Sequence, residues 1–143
     1  MKLSRPLILA SASPRRAELL RAAGVPFIQA TSQVNEEEIE AESNERFVVL
    51  AAEAKALDVA SRADSQSIVI GADTIVCLDH KRLGKPRDMT EARQMIRSLQ
   101  SRRHEVLTGV AICIREEAIL VSDLIQTSVW FGHIPDDDLE TYL

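Results

Sequence analysis

The chain has 143 residues and a net charge of −5, with 45% apolar and 27% charged residues. This size and composition are those of one globular domain that can bury a core, which we expect over residues 1–143. The negative charge argues against broad binding to nucleic acid or an anionic membrane, and 3% aromatic residues leave few platforms for stacking bases. No apolar stretch approaches the roughly 20 residues that cross a bilayer.

The first half of the chain alternates between strand-like and helix-like patterns. Short apolar runs predict strands, and apolar residues at helical spacing predict helices. Ser13 before Pro14 predicts a helix start capped by the Ser side chain, and Gly24 suits the position just past its end. In chain order, we predict a strand at 6–10, a helix at 14–23, a strand at 25–31, an acidic connector at 35–43 and a helix at 45–62.

The second half pairs strands late in the chain. Two β-branched runs within 65–79 are interrupted by Gly-Ala-Asp, and Thr90 is predicted to cap a helix. Alternation followed by strand pairing predicts an α/β fold with a mixed sheet. In chain order, we predict strands within 65–79, a loop at 79–88, a helix at 89–102, a hairpin of strands 104–116 and 118–131, and a helix beginning at Pro135.

The two cysteines lie in apolar runs without metal-site spacing. Cys77 and Cys113 are therefore expected to be buried free thiols, which suits the reducing cytoplasm. The three histidines show no metal-ligand spacing either, and we assign none of them to catalysis.

Two arginines stand where a helix dipole disfavours them. Arg15 and Arg16 follow Pro14 in the first turn, where acidic residues are preferred. The N–H groups of a helix start bind anions, and guanidinium groups match phosphate oxygens, so a bound polyphosphate would explain the pair. The other interpretation is that both side chains point into solvent.

A lone carboxylate, Asp73, interrupts an apolar run at an expected strand end or bulge. Burying a charge is costly unless it is paired or used, and such a carboxylate can act as a general base or hold a divalent metal. Capping a turn is the ordinary alternative. Gly71, two residues earlier, permits close backbone approach.

Three weaker signals accompany these residues. Lys85 lies on a turn between Gly and Pro and can meet a phosphate, although most loop lysines are solvated. Glu36–Glu38 can include a metal ligand or form a solvated acidic loop, and Lys55 on an apolar helix ordinarily reaches to the surface. Together, the cations, carboxylates and embedded Asp73 are suited to metal-assisted hydrolysis of a phosphoanhydride.

Four blocks of the sequence resemble the Maf family of nucleoside triphosphate pyrophosphatases. They are LASASPRRAELL, VIGADTIV, LGKPRD and HEVLTG, in the family's order across nearly the whole chain. The resemblance implies a mixed, twisted sheet flanked by helices with a cleft, similar to inosine triphosphate pyrophosphatases. It also implies hydrolysis of a nucleoside triphosphate to the monophosphate and pyrophosphate in the cytoplasm, with Mg²⁺ or Mn²⁺. The family clears non-standard or surplus nucleotides and is linked to inhibition of septum formation.

The resemblance assigns roles to individual residues. Asp73 matches the catalytic proton acceptor, and Glu36 matches a metal-associated position that shares the metal with Asp73. Arg15 and Thr74 also match positions tied to base selectivity, and the pairing of SPRR with GADT resembles the dTTP/UTP-cleaving branch. The implied substrate-binding residues are Ser11, Arg15, Arg16, Lys55, Thr74 and Lys85.

The family's pattern continues past residue 143 with a segment that carries a selectivity-linked Gln. We therefore expect this single Maf-like domain to lack part of the sheet and of the pocket wall. An exposed sheet edge then favours self-association, and a homodimer is one expected outcome. The alternative function is a catalytically weak nucleotide-binding protein that regulates cell division.

Overall fold

A six-stranded mixed sheet carries the fold, in a computed structural model that describes residues 2–143. Its strand order is β2-β1-β3-β5-β6, with β4 paired to β3. β1 runs parallel to both β2 and β3, whereas β4 is antiparallel to β3. The α/β fold with a mixed sheet is thereby confirmed. The strands are β1 (Leu7–Ala10), β2 (Ile28–Gln29), β3 (Ile68–Leu78), β4 (Lys81–Leu83), β5 (Arg103–Ile114) and β6 (Ile119–Trp130).

The helices lie close to their predicted positions. Gly24, with a φ of 68°, follows the first helix in the left-handed conformation that its position was predicted to need. The helices are α1 (Pro14–Ala22), α2 (Asn44–Arg62), α3 (Met89–Leu99) and α4 (Asp136–Tyr142), and short 3₁₀ helices cover Glu36–Glu38 and Arg115–Glu117.

The chain divides into two compact units. The first comprises the residues up to Asp73 together with Thr108–Ile125. The second comprises Thr74–Leu107 and Gln126–Leu143. Cys77 lies in the second unit and Cys113 in the first, and both are buried free thiols as predicted. No helix within residues 2–143 is long and apolar enough to cross a membrane.

An alanine-rich face of α2 forms the core of the first unit. Its alanines pack against small and β-branched residues of the sheet, which lets helix and strands approach closely. Gly71 of β3 marks this approach, because a Cβ there would lie 2.2 Å from the carbonyl oxygen of Ala52. Gly109 of β5 approaches Val48 in the same way. The core cluster contains Ala10, Ala52, Ala56, Val59, Ala60, Val69, Ala111 and Cys113.

Three strand predictions were wrong in detail. The region 65–79 holds one continuous strand, β3, so Asp73 lies inside a strand and not at an end or bulge. Only Ile28–Gln29 of the predicted strand 25–31 pairs in the sheet. The predicted loop 79–88 contains β4, which forms a hairpin through Asp79 and His80, both at positive φ as a two-residue hairpin turn requires.

The cap of α3 is Asp88, so the prediction of Thr90 was wrong. Asp88 Oδ1 accepts a hydrogen bond of 2.8 Å from the backbone N–H of Glu91. Helix-cap substitutions cost roughly 0.5–2 kcal/mol, so Asp88→Ala is expected to lower the free energy of unfolding by about 1 kcal/mol. Thr90→Ala is the matched control and should change it by less than about 0.5 kcal/mol. Urea denaturation measures both, and equal losses would contradict the assignment.

Candidate active site

The loop between β1 and α1 is organised by Ser11, not by the predicted cap Ser13. The side chain of Ser13 makes no capping hydrogen bond. The buried Ser11 Oγ instead accepts hydrogen bonds from the backbone N–H of Ser13, at 3.2 Å, and from Nη1 of Arg16, at 3.0 Å. Ser11 thus holds one guanidinium group against the start of α1.

The two arginines of α1 have different surroundings. Arg16 is half-buried, bonded to Ser11, and its charge acts on the carboxylate of Asp73. Arg15 is exposed. The structure therefore places Arg16 where its charge lowers the pKa of Asp73. The substrate-binding roles of both arginines stay predictions.

The face of β3 that packs on α2 also carries Asp73. Side chains two residues apart in a strand point to the same face, so Asp73 shares the side on which Gly71 meets Ala52 and Ala56. Lys55 immediately precedes Ala56, and its Nζ donates a hydrogen bond of 2.7 Å to Asp73 Oδ1. The expectation that Lys55 reaches to the surface was wrong, because its side chain is only 12% exposed.

Glu36 completes an ion cluster centred on Lys55. Its Oε1 lies 2.6 Å from the same Lys55 Nζ that binds Asp73. The 3₁₀ helix that carries Glu36 is capped by Asn35, whose Oδ1 accepts the N–H of Glu37 at 3.2 Å. The acidic connector is therefore held at this point, and one ammonium group contacts two carboxylates.

Burial dominates the electrostatics of Asp73. Desolvation raises the pKa of the Asp73 carboxyl above its usual range, although the hydrogen bond and charge of Lys55 oppose that rise. The negative charge of Glu36 raises this pKa and the positive charge of Arg16 lowers it, both more weakly. Asp73 Oδ2 is buried and has no hydrogen-bond partner within residues 2–143. Asp73 is thus a buried carboxylate with one oxygen bonded to Lys55 and one unpartnered oxygen, and its proton affinity is raised.

Lys55→Met is expected to raise the pKa of Asp73 further. The substitution removes the hydrogen bond and the charge that lower this pKa, and leaves burial and Glu36 to raise it. Carbon-13 NMR of the Asp73 carboxyl, titrated in metal-free protein, measures the change. Lys81→Met, on an exposed residue of β4, is the control. An unchanged or lowered pKa in the Lys55 variant would show that the ion pair does not govern Asp73.

Two predicted site residues belong to the second unit. Thr74 directly follows Asp73 in β3 and is exposed. Lys85 is exposed in the loop between β4 and α3. Their roles in base selectivity and phosphate contact stay predictions.

The carboxylates that meet at Lys55 suit a hard divalent cation. No three His, Cys, Asp or Glu side chains between residues 2 and 143 gather into a ready metal site. Mg²⁺, however, usually takes only one or two protein carboxylates and fills its shell with water and substrate phosphates. Glu36 and Asp73 supply that number, and Asp73 Oδ2 is free to bind. The residues present therefore fit a cation that a phosphate ligand helps to hold.

One residue near this loop was missed by sequence reasoning. Gln29, in β2, donates from Nε2 to the backbone carbonyl of Ser11 at 2.7 Å. Nothing in the local sequence signals this contact, since it depends on β2 pairing in parallel with β1.

The fold matches that of a solved nucleotide-hydrolysing enzyme. A nucleoside-triphosphatase / dITP/XTP pyrophosphatase from Mycobacterium abscessus superposes with a TM-score of 0.55 at 15% identity, covering 91% of this chain and 76% of that chain. The likeness concerns the fold alone. The fold and the site together define an α/β protein with a six-stranded mixed sheet. Its site holds a buried carboxylate, Asp73, whose pKa is lowered by the cationic side chains of Lys55 and Arg16 against the effect of burial.

The sequence comparison is more specific. The chain belongs to the Maf-like protein family, whose family model matches residues 6–143. A relative in Geotalea uraniireducens, named dTTP/UTP pyrophosphatase, is 40% identical over 143 residues, which are 100% of this chain and 73% of that protein. A relative of the same name in Symbiobacterium thermophilum is 42% identical and is matched over 96% of this chain and 69% of its own length.

Proposed function

We propose that this protein is a metal-dependent nucleoside triphosphate pyrophosphatase that hydrolyses dTTP, UTP or related non-standard nucleotides. The observation that carries the proposal is the cluster of Asp73, Lys55 and Glu36, with Arg16 acting on the same carboxylate. Relatives named dTTP/UTP pyrophosphatase support the substrate class. The two buried thiols suit the cytoplasm, which we propose as its compartment.

Asp73 is the proposed proton acceptor. Its raised pKa lies closer to neutral pH than that of an ordinary Asp, which favours proton uptake in a transition state. A water molecule attacks the α-phosphorus and passes its proton to Asp73, and the bond from the α-phosphorus to the bridging oxygen breaks. The products are the nucleoside monophosphate and pyrophosphate.

The cations of the first unit are proposed to hold the phosphates. Arg16, fixed by Ser11, offers a planar fork at the start of α1, where the positive end of the helix dipole also favours anions. Lys55 contacts both Asp73 and Glu36 and is proposed to exchange part of this contact for a phosphate oxygen. Arg15, Thr74 and Lys85 are proposed to add contacts to the phosphates and the base.

Glu36 and Asp73 are the proposed holders of a divalent cation, Mg²⁺ or Mn²⁺. When bound, such an ion neutralises the charge that develops on the phosphate oxygens. The two proposed protein ligands contact the same ammonium group, that of Lys55.

The test is the product of hydrolysis. The protein is incubated with dTTP and with UTP in the presence and absence of Mg²⁺, and pyrophosphate, orthophosphate and nucleoside monophosphate are quantified. The proposal expects monophosphate and pyrophosphate in equal amounts, and only with the metal. Orthophosphate with the diphosphate would show that another bond is cleaved, and turnover in chelator would refute the metal requirement.

A further inference from the structure

Two residues late in α2 tie down the chain segment that leads to Glu36. Asp58 Oδ2 accepts a hydrogen bond of 2.9 Å from the backbone N–H of Gln33 and one of 2.8 Å from Nη2 of Arg62. Arg62 Nη2 also donates to the backbone carbonyl of Thr31, at 3.2 Å. The pair therefore contacts backbone at two points of the connector between β2 and the 3₁₀ helix.

The pair lies on the same side of α2 as Lys55. Asp58 and Arg62 follow Lys55 by three and seven residues, a spacing that places the three side chains along one face of a helix. The connector thus meets this face twice, at Asp58 and Arg62 and again where Glu36 binds Lys55. Between these contacts lie only Val34 and Asn35, so fixing Gln33 limits where Glu36 can go.

The charge state of Asp58 suits this contact. The Gln33 N–H and then the Arg62 guanidinium hold the pKa of the Asp58 carboxyl below its usual range. Asp58 is therefore ionised at neutral pH. An exposed ion pair on a helix adds little to stability on its own, whereas hydrogen bonds to backbone fix the path of a segment. The geometry is thus better suited to positioning than to stabilising α2.

We propose that Asp58 and Arg62 form a connector clamp that positions Glu36 against Lys55 and Asp73. The inference rests on the proposed function, because it concerns Glu36, a proposed metal ligand of that site. Neither residue touches substrate in this scheme. Both act through Glu36 and are positioning residues.

The first test compares three substitutions. Asp58→Leu removes the acceptor for the Gln33 N–H and is expected to raise the Mg²⁺ concentration needed for half-maximal activity by about tenfold, the effect of losing an outer-shell contact. Asp58→Asn keeps a carbonyl oxygen for that N–H and should recover most of the loss. Asp64→Leu is the matched control, because Asp64 accepts a backbone N–H from Gln66 in a different turn. Equal effects of Asp58→Leu and Asp64→Leu would overturn the clamp.

The second test asks whether Asp58 acts through Glu36. Residues that act through one group give non-additive losses. We expect Glu36→Gln combined with Asp58→Leu to have the same metal dependence as Glu36→Gln alone. Full additivity of the two losses would overturn the inference.

The third test separates the clamp from the proposed activity. Amide hydrogen exchange in metal-free protein should be faster at Gln33, Glu37 and Glu38 in Asp58→Leu than in the parent chain, with α2 unchanged. Exchange unchanged at these amides would overturn the clamp even if the enzyme is active. Faster exchange in a chain without pyrophosphatase activity would support the clamp and refute the proposed function alone.

Discussion

Asp73→Asn is expected to lower kcat for pyrophosphate release by roughly 10²–10⁴-fold, the usual contribution of a general base. Asparagine keeps the shape of the side chain and can still accept the Lys55 hydrogen bond, but it cannot take a proton from water. Nucleotide affinity in the absence of metal should change far less, because the cationic groups proposed to hold the phosphates stay in place. Product release in a coupled pyrophosphate assay and direct titration with dTTP measure the two quantities.

The same substitution is expected to stabilise the fold at neutral pH. Because burial raises the pKa of Asp73 in the folded state above the unfolded value near 3.8, the folded protein binds this proton more tightly. Its contribution to stability is therefore present below pH 3.8 and is lost as pH rises through the folded pKa. The difference in unfolding free energy between the Asn variant and the parent chain should grow over that window, which urea denaturation of metal-free protein at several pH values measures.

Asp64→Asn provides the charge-matched control, because Asp64 is exposed and its side chain accepts a hydrogen bond from Gln66 N–H in its own turn. It should leave kcat within about twofold and stability within about 0.5 kcal/mol. Full turnover by the Asp73→Asn variant would rule out Asp73 as the proton acceptor. An Asp73→Asn variant that loses stability as pH rises, relative to the parent chain, would contradict the raised pKa.

Local patterns in the sequence predicted most of the elements. The apolar runs became β1, β3 and β5, whose residues are largely buried or half-buried, and β6, most of whose residues are exposed. The spacing of alanines gave α2, and the cost of burying a charge singled out Asp73. These inferences need only neighbours along the chain, which is why they could be made before the fold was known.

Contacts between distant segments could not be predicted in this way. From the local sequence, Lys55 would ordinarily reach to the surface, and only the packing of α2 on β3 brings it to Asp73. Ser13 had the sequence pattern of a helix cap, but its side chain makes no capping hydrogen bond. The buried Ser11 hydroxyl instead accepts the hydrogen bonds from Ser13 N–H and from Arg16. The Gly-Ala-Asp sequence at 71–73 interrupts the apolar run but does not end the strand, since β3 continues through it. The glycine serves instead to let α2 approach β3 closely.

Gly71→Ala is expected to cost about 3 kcal/mol of unfolding free energy or more, at the upper end of overpacking effects. The added Cβ would lie 2.2 Å from the carbonyl oxygen of Ala52 and 2.7 Å from the backbone nitrogen of Ala56. Both are backbone atoms of α2, so no side-chain rotation relieves the clash and the helix must move away from β3. Urea denaturation measures the loss.

The shift should also reach the site, because the two elements that separate carry Lys55 and Asp73. We therefore expect Gly71→Ala to lose pyrophosphatase activity at temperatures where it is still folded, a loss that destabilisation alone does not produce. Gly132→Ala is the control, since a Cβ there meets nothing within 4 Å, and its stability should stay within about 0.5 kcal/mol of the parent chain. A Gly71→Ala variant as stable as Gly132→Ala would show that α2 and β3 are not in the close contact on which the Lys55–Asp73 pair depends.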